Sequence, residues 1–192
     1  MTAITLNLEP VIHLTDEHFY QLCQANRDVR FERTASGELI VMPPAGGETG
    51  NRNSKLNQRL ANWSDADGTG IAFDSSTGFK LPNGADRSPD AAWIKSERWE
   101  SLTPEQRRKF PPLAADFVVE LRSATDELKP LQDKMQEYRD NGVRLGWLID
   151  PQNQRVEIYR LGQDVEVLQS PANLSGEGVL PGFLLDLGQI LN

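Results

Sequence analysis

Residues Ala115–Pro151 read ADFVVELRSATDELKPLQDKMQEYRDNGVRLGWLIDP, and their pattern decides the fold. Asp116–Arg122 is an apolar strand with a carboxylate, Glu120, in its second half. Leu128, Leu131, Met135 and Tyr138 recur at helical spacing after it, and Leu145–Asp150 is a second apolar strand. Two apolar strands joined through a helix make a crossover unit. An ionised group carried into such a unit needs a partner or a task. Alternation along the first strand puts Asp116, Val118, Glu120 and Arg122 on one face and Phe117, Val119 and Leu121 on the other. At about 100° per residue, Lys134 falls within roughly 40° of the edge of the helix's apolar stripe. A long side chain there reaches along the sheet toward a strand end, whereas Lys129 points well away.

Working outward, Ser88–Ile94 (SPDAAWI) enters another short apolar strand with Asp90 at its mouth. If the two strands are neighbours, Asp90, Glu120 and a cation meet at one sheet end. Two carboxylates that close repel each other unless a divalent cation lies between them. Oxygen donors favour Mg²⁺ or Mn²⁺ over zinc. Such a site polarises a phosphodiester and activates water, with a lysine orienting the water or stabilising developing charge. The same residues also admit a plainer reading. Pro-Asp is a common turn, Glu120 can form an ion pair with Arg122 or Lys134, and Lys134 can snorkel along the core edge.

The remaining segments frame this unit. Thr15-Asp16-Glu17-His18 is a helix start, with a threonine cap and acids in the first turn. Val29–Arg33 and Glu38–Met42 form a hairpin, and Pro43-Pro44 stops it. A glycine-rich loop over Ala45–Gly50 leads into a helix from about Asn51 to Trp63, with Leu56, Leu60 and Trp63 as its stripe. That loop lacks the Gly-Lys-Ser/Thr ending of a phosphate loop and does not match the dinucleotide fingerprint. Gly70–Phe73 and Gly78–Leu81 read as a hairpin, and Thr103-Pro104 opens a short helix. The tail from Arg155 alternates as an antiparallel hairpin continuing from Asp150, and Gly182–Leu191 is a final apolar strand or cap. The whole predicts an α/β (α+β) chain with one domain over 1–192, its core at about 14–160 and a β extension over 161–192.

Composition narrows the function classes. The 192 residues are 38% hydrophobic and 25% charged, ordinary for a globular protein. A net charge of −8 argues against nucleic-acid binding by bulk positive charge, but not against a local basic strip assisted by metal ions. One cysteine, Cys23, excludes an internal disulfide and a multi-cysteine zinc site and fits a reducing cytoplasm. The opening residues do not read as a signal peptide, and no apolar run reaches the ~20 residues of a spanning helix, so no membrane partner is expected. His13 and His18 are the only histidines, and both are expected in structural or surface roles. No Gly-x-Ser-x-Gly elbow is present, which leaves other hydrolase classes without support.

SGELIVMPP, SPDAAWI, DFVVELRSATDELKPLQDKMQEY and GVRLGWLIDPQ together resemble the Uma-two family of endonuclease-like proteins. That family is placed in the PD-(D/E)-x-K, restriction-endonuclease-like superfamily, and the resemblance spans roughly Leu14 to Tyr159. It implies a central mixed β-sheet flanked by helices, with additional antiparallel hairpins, and a DNA endonuclease dependent on Mg²⁺ or Mn²⁺. By the same resemblance Asp90 and Glu120 are the metal-binding acids, and Glu48 is a candidate auxiliary acid. The strict pattern wants lysine at position 122, where this chain has Arg122. Arginine clamps phosphate but stays charged and carries protons poorly. Either Arg122 substitutes, or the role has moved to Lys134, which the helix-face argument favours. A homodimer is expected if both DNA strands are cut. The competing expectation is a catalytically inactive nuclease fold serving as a binding or assembly module, motivated by Arg122 and the negative charge.

Overall fold

The computed structural model describes residues 3–9 and 11–191. In chain order, β1 (Ile4–Leu6), α1 (Asp16–Ala25), β2 (Arg30–Arg33), β3 (Leu39–Met42) and α2 (Gly47–Asp67) come first. Then follow β4 (Gly70–Asp74), β5 (Phe79–Lys80), β6 (Asp86–Arg87), β7 (Ala91–Lys95), α3 (Ser96–Glu100) and α4 (Pro104–Arg108). The crossover unit is β8 (Phe117–Leu121), α5 (Leu128–Asp140) and β9 (Leu145–Asp150). The chain continues with β10 (Arg155–Arg160), β11 (Glu166–Gln169), β12 (Asn173–Ser175) and β13 (Leu184–Asp186).

Local chemistry explains the main boundaries. Thr15 caps α1 by accepting a hydrogen bond from the His18 backbone N–H. Thr103 and Gln106 close a reciprocal capping box on α4, with Pro104 at its first position. Gly68 ends α2 in the left-handed region at φ 72°. α2 is longer at both ends than its apolar stripe predicts: it begins within the glycine-rich loop and runs on to Asp67.

A six-stranded sheet in the order β11-β10-β9-β8-β7-β4 forms the centre, and a five-stranded sheet, β1-β3-β2-β6-β5, lies beside it. The central sheet is mixed. β8 and β9 run parallel, joined through α5, while the other pairings are antiparallel. The hairpin expected from Gly70–Phe73 and Gly78–Leu81 does not form. β4 pairs with β7 in the central sheet, and β5 pairs with β6 in the other. The turn after β4 therefore carries the chain between sheets instead of folding it back.

The faces of β8 separate as alternation predicts. Phe117, Val119 and Leu121 pack with Leu56 and Leu60 of α2, whereas Val118 packs with Met135 and Tyr138 of α5. The tail contributes to the first of these clusters. Leu174, Leu180, Phe183, Leu185, Leu187, Ile190 and Leu191 are all buried in it, and the Phe183 ring stacks on Trp147 at 6.0 Å. Among the described residues no helix is long and apolar enough to cross a membrane.

Candidate active site

The register between β7 and β8 brings the acids together. Ala91 pairs with Val119, so one step further Asp90 stands opposite Glu120, on the same face. Directly opposed residues on antiparallel strands have Cβ atoms about 5 Å apart. Asp90 is fixed from two sides: Oδ2 accepts from the Leu121 backbone N–H at 2.8 Å, and Oδ1 accepts from Asn53 Nδ2 of α2 at 2.8 Å. Asn57, one turn along α2, donates to the Asp90 carbonyl oxygen at 2.9 Å.

Glu120 is buried and meets α5. Lys134 Nζ lies 2.8 Å from Glu120 Oε1, and the Tyr138 hydroxyl donates to the same oxygen at 3.0 Å. Lys134 Nζ also contacts Glu32 Oε1 of β2 at 2.8 Å. Glu32 in turn accepts from the Ser88 backbone N–H at 2.9 Å and pairs with Arg87 at 3.2 Å. Arg87 Nε continues to Glu137 Oε2 of α5 at 2.6 Å. The cluster therefore joins both sheets and the crossover helix.

Burial pushes the Glu120 carboxyl up to about 7, against the pull of Lys134 and with Asp90 and Glu32 adding to the rise. Burial alone would raise Glu32 too, but Lys134 and Arg87 outweigh it and hold that carboxyl below its ordinary range. Lys134 is raised despite burial, because Glu120 and Glu32 stabilise its charge. The resulting picture is an ionised Glu32, a charged Lys134 and a Glu120 that exchanges its proton near neutrality.

The other sequence candidates lie elsewhere. Arg122 directly follows β8, and its backbone N–H still donates to the Ile149 carbonyl of β9 at 2.9 Å; its side chain, however, turns to Asp150, with Nη1 2.8 Å from Oδ2, and its Nε donates to the Asp126 carbonyl at 3.0 Å. Glu48 lies in the first turn of α2, 89% exposed, and contacts Arg52 at 3.7 Å. Five residues separate it from Asn53, which turns it about 140° away from the face that meets Asp90. His13 and His18 are both exposed. Burial drives the Cys23 thiol up to about 11, which leaves it a poor nucleophile. Sequence reasoning missed Glu32, Arg87, Glu137, Tyr138 and Asn53 as members of the cluster. The available signal for Glu32 was its alternation with Phe31 in β2, but that pattern equally describes a solvated face.

A divalent cation fits this donor set in part. Asp90 and Glu120 supply hard oxygens, and the crowded carboxyls that raise Glu120 are what a cation would relieve. The buried Asn53 Oδ1, beside Asp90, has no hydrogen-bond partner. Among the described residues no three His, Cys, Asp or Glu side chains form a complete cage. An ion such as Mg²⁺, which keeps several waters and takes only one or two carboxylates, suits such an open set.

A mixed sheet carrying two acids at the mouths of adjacent strands, with a helix crossing between its parallel pair, places this molecule in the restriction-endonuclease-like class of folds. A crystal structure described as that of a "putative nuclease" belonging to DUF820, from Anabaena variabilis, shares the fold. It superposes with a TM-score of 0.70 at 19% identity, over 84% of this chain and 89% of that one. The chain belongs to the Uma2 family, whose model, described as "Putative restriction endonuclease", matches residues 16–188. A cryo-EM structure of a DrdV–DNA complex matches at a TM-score of 0.40 and 15% identity, covering 63% of this chain and 10% of that one, a likeness too slight to carry an argument. No curated protein matches the chain.

Proposed function

We propose that this protein is a metal-dependent endonuclease that hydrolyses phosphodiester bonds of DNA at Asp90, Glu120 and Lys134. The observation that carries the reading is the convergence of two acids from neighbouring strands with a buried ammonium from the crossover helix. Asp90 and Glu120 would hold Mg²⁺ or Mn²⁺, which when bound polarises the phosphate and lowers the pKa of a water. The Leu121 N–H and Asn53 amide aim the Asp90 carboxylate, and Tyr138 aims that of Glu120. Lys134 supplies the positive charge that steadies the developing oxyanion or orients the attacking water. We assign this role to Lys134 over Arg122, whose guanidinium is occupied by Asp150. Glu48 would serve as a metal ligand only if the start of α2 rearranged on binding. Two copies, each cutting one strand, would account for double-strand cleavage, and sedimentation of the protein with and without DNA tests that. The single cysteine supports a reducing, cytoplasmic setting.

The test is nicking of supercoiled plasmid in Mg²⁺ or Mn²⁺ by the parent protein, Asp90→Asn and Glu120→Gln. The parent is expected to nick, and each variant to lose about 10²-fold or more in rate. Equal nicking by all three, or none by any, overturns the reading. Calorimetric titration with Mn²⁺ then identifies the alternative. A nuclease fold kept as a binding module would show no metal uptake that depends on Asp90.

A further inference from the structure

Lys134 is held by two carboxylates, and the two are not equivalent. Glu120 shares the end of the sheet with Asp90, where the metal would be held, and it also accepts from the Tyr138 hydroxyl at 3.0 Å. Glu32 comes from the other sheet, and its surroundings are fixed. Its Oε1 takes a backbone N–H from Ser88, and its Oε2 takes Arg87, which Glu137 clamps from the far side. The clamp is itself tied down. Asn83 Nδ2 donates to Glu137 Oε1 at 2.9 Å, and the Asn83 N–H donates to Asn141 Oδ1 at 2.8 Å. Loop and helix are thus stapled together around the lysine.

We propose that Glu32 is the positioning residue for the active-site lysine: the five-stranded sheet, through Glu32 backed by Arg87 and Ser88, holds the Lys134 ammonium in place independently of Glu120. This inference rests on the reading of Lys134 as the cation of phosphodiester hydrolysis. Its physical basis is that an ammonium with three donors and a flexible stem stays where its most rigid acceptor is. If Glu120 were to hold a metal ion, its carboxylate would have less negative charge to offer Lys134, and Glu32 would keep the ammonium in register. Glu32 touches neither reacting atoms nor the Asp90 pair, and it acts only through Lys134.

The test separates the anchor from the chemistry. Full-length protein labelled with ¹⁵N-lysine, free of metal, is examined by proton–nitrogen NMR of the side-chain ammonium groups. A slowly exchanging resonance that Lys134→Met removes is expected, because the Lys134 side chain is only 11% exposed. That resonance should persist in Glu120→Gln, vanish or move in Glu32→Gln, and return in part in Glu32→Asp. The second arm is single-turnover cleavage. Glu32→Gln should lose about 10²-fold in rate, as a misplaced catalytic group does, with DNA affinity unchanged, and Glu32→Asp should recover part of the loss. If Glu32→Gln does not fold, Glu32→Asp alone must still shift the resonance and slow cleavage. The inference is overturned if the resonance is absent from the parent protein, if it survives Glu32→Gln unchanged, or if Glu120→Gln alone removes it. Should the parent not cleave DNA at all, the nuclease reading fails, and the resonance still decides the anchor.

Discussion

At the scale of single residues, the two rival cations separate by what each leaves behind. Removing Arg122 takes the cation from Asp150, whose side chain is only 2% exposed, and leaves it the two hydrogen bonds from Asn153, so Arg122→Met should cost about 1–3 kcal/mol in stability while sparing most cleavage. Lys134→Met leaves two buried carboxylates facing each other and should cost about 3–5 kcal/mol as well as abolishing cleavage. Urea unfolding beside plasmid nicking checks both, and loss of cleavage in Arg122→Met with retention in Lys134→Met would reverse the assignment. Glu120 makes a pH prediction. Its carboxyl sits near 7 in the folded protein against an ordinary 4.5, so the native state binds that proton more tightly than the unfolded chain does. Metal-free stability should therefore fall as pH rises from about 4.5 to about 7, by an amount on the order of 1–3 kcal/mol. Glu32, held low, titrates below that window, and Lys134, held high, titrates above it. Unfolding midpoints at about pH 5 and pH 8 should differ more for the parent than for Glu120→Gln; equal differences would refute the assignment. Lys134 was legible in the sequence because helical periodicity is local. Glu32 was not, because the contact that gives it meaning spans 102 positions of chain.

Elements are positioned by close approaches that only glycine permits. A Cβ on Gly146 of β9 would lie 2.5 Å from the Met135 terminal methyl and 3.4 Å from Val118. The methionine end can yield, so Gly146→Ala should cost about 1–3 kcal/mol and shift α5, carrying Lys134 with it. Gly70 of β4 is less forgiving. Its Cβ would fall 2.1 Å from the Trp93 ring and 2.5 Å from the Ile94 carbonyl, neither of which can move easily. Thermal melts should rank Gly70→Ala below Gly146→Ala, and cleavage relative to folded fraction should fall only in Gly146→Ala. The crossover unit was readable from sequence, since β8, α5 and β9 each carry their own periodicity within one short span. The partner of β4 was not. Proximity in sequence favours a hairpin with β5, but β4 pairs with β7 and β5 with β6, in different sheets. The Asp90–Glu120 meeting was legible only as a condition, because register between β7 and β8 is set by the packing of both faces.

For the whole molecule, the −8 charge and the tail set the terms. A surface this acidic repels DNA, so affinity should rise on adding Mg²⁺ or Mn²⁺ more than screening by NaCl of matched ionic strength explains; fluorescence anisotropy with labelled duplex measures it, and equal effects would speak against a metal-bridged complex. The tail is structural. A chain ended after Gln169 loses Leu174, Leu180, Phe183, Leu185, Leu187, Ile190 and Leu191 from the cluster over Phe117 and Trp147, and should show no cooperative thermal transition by calorimetry. The apolar residues of Gly182–Leu191 mark this segment as a strand or cap, yet nothing local says that it closes the face opposite the active site. That arrangement has a consequence for how the protein is made. Every strand of the central sheet has been synthesised by Gln169, and α2 can already lie over Phe117, Val119 and Leu121, but the rest of the cover on that face, Leu174 to Leu191, is made only afterwards. At about 5–20 residues per second, the side of Trp147 on which Phe183 stacks stays open for roughly one to a few seconds after Gln169 is added, a window in which exposed apolar surface is open to non-native association.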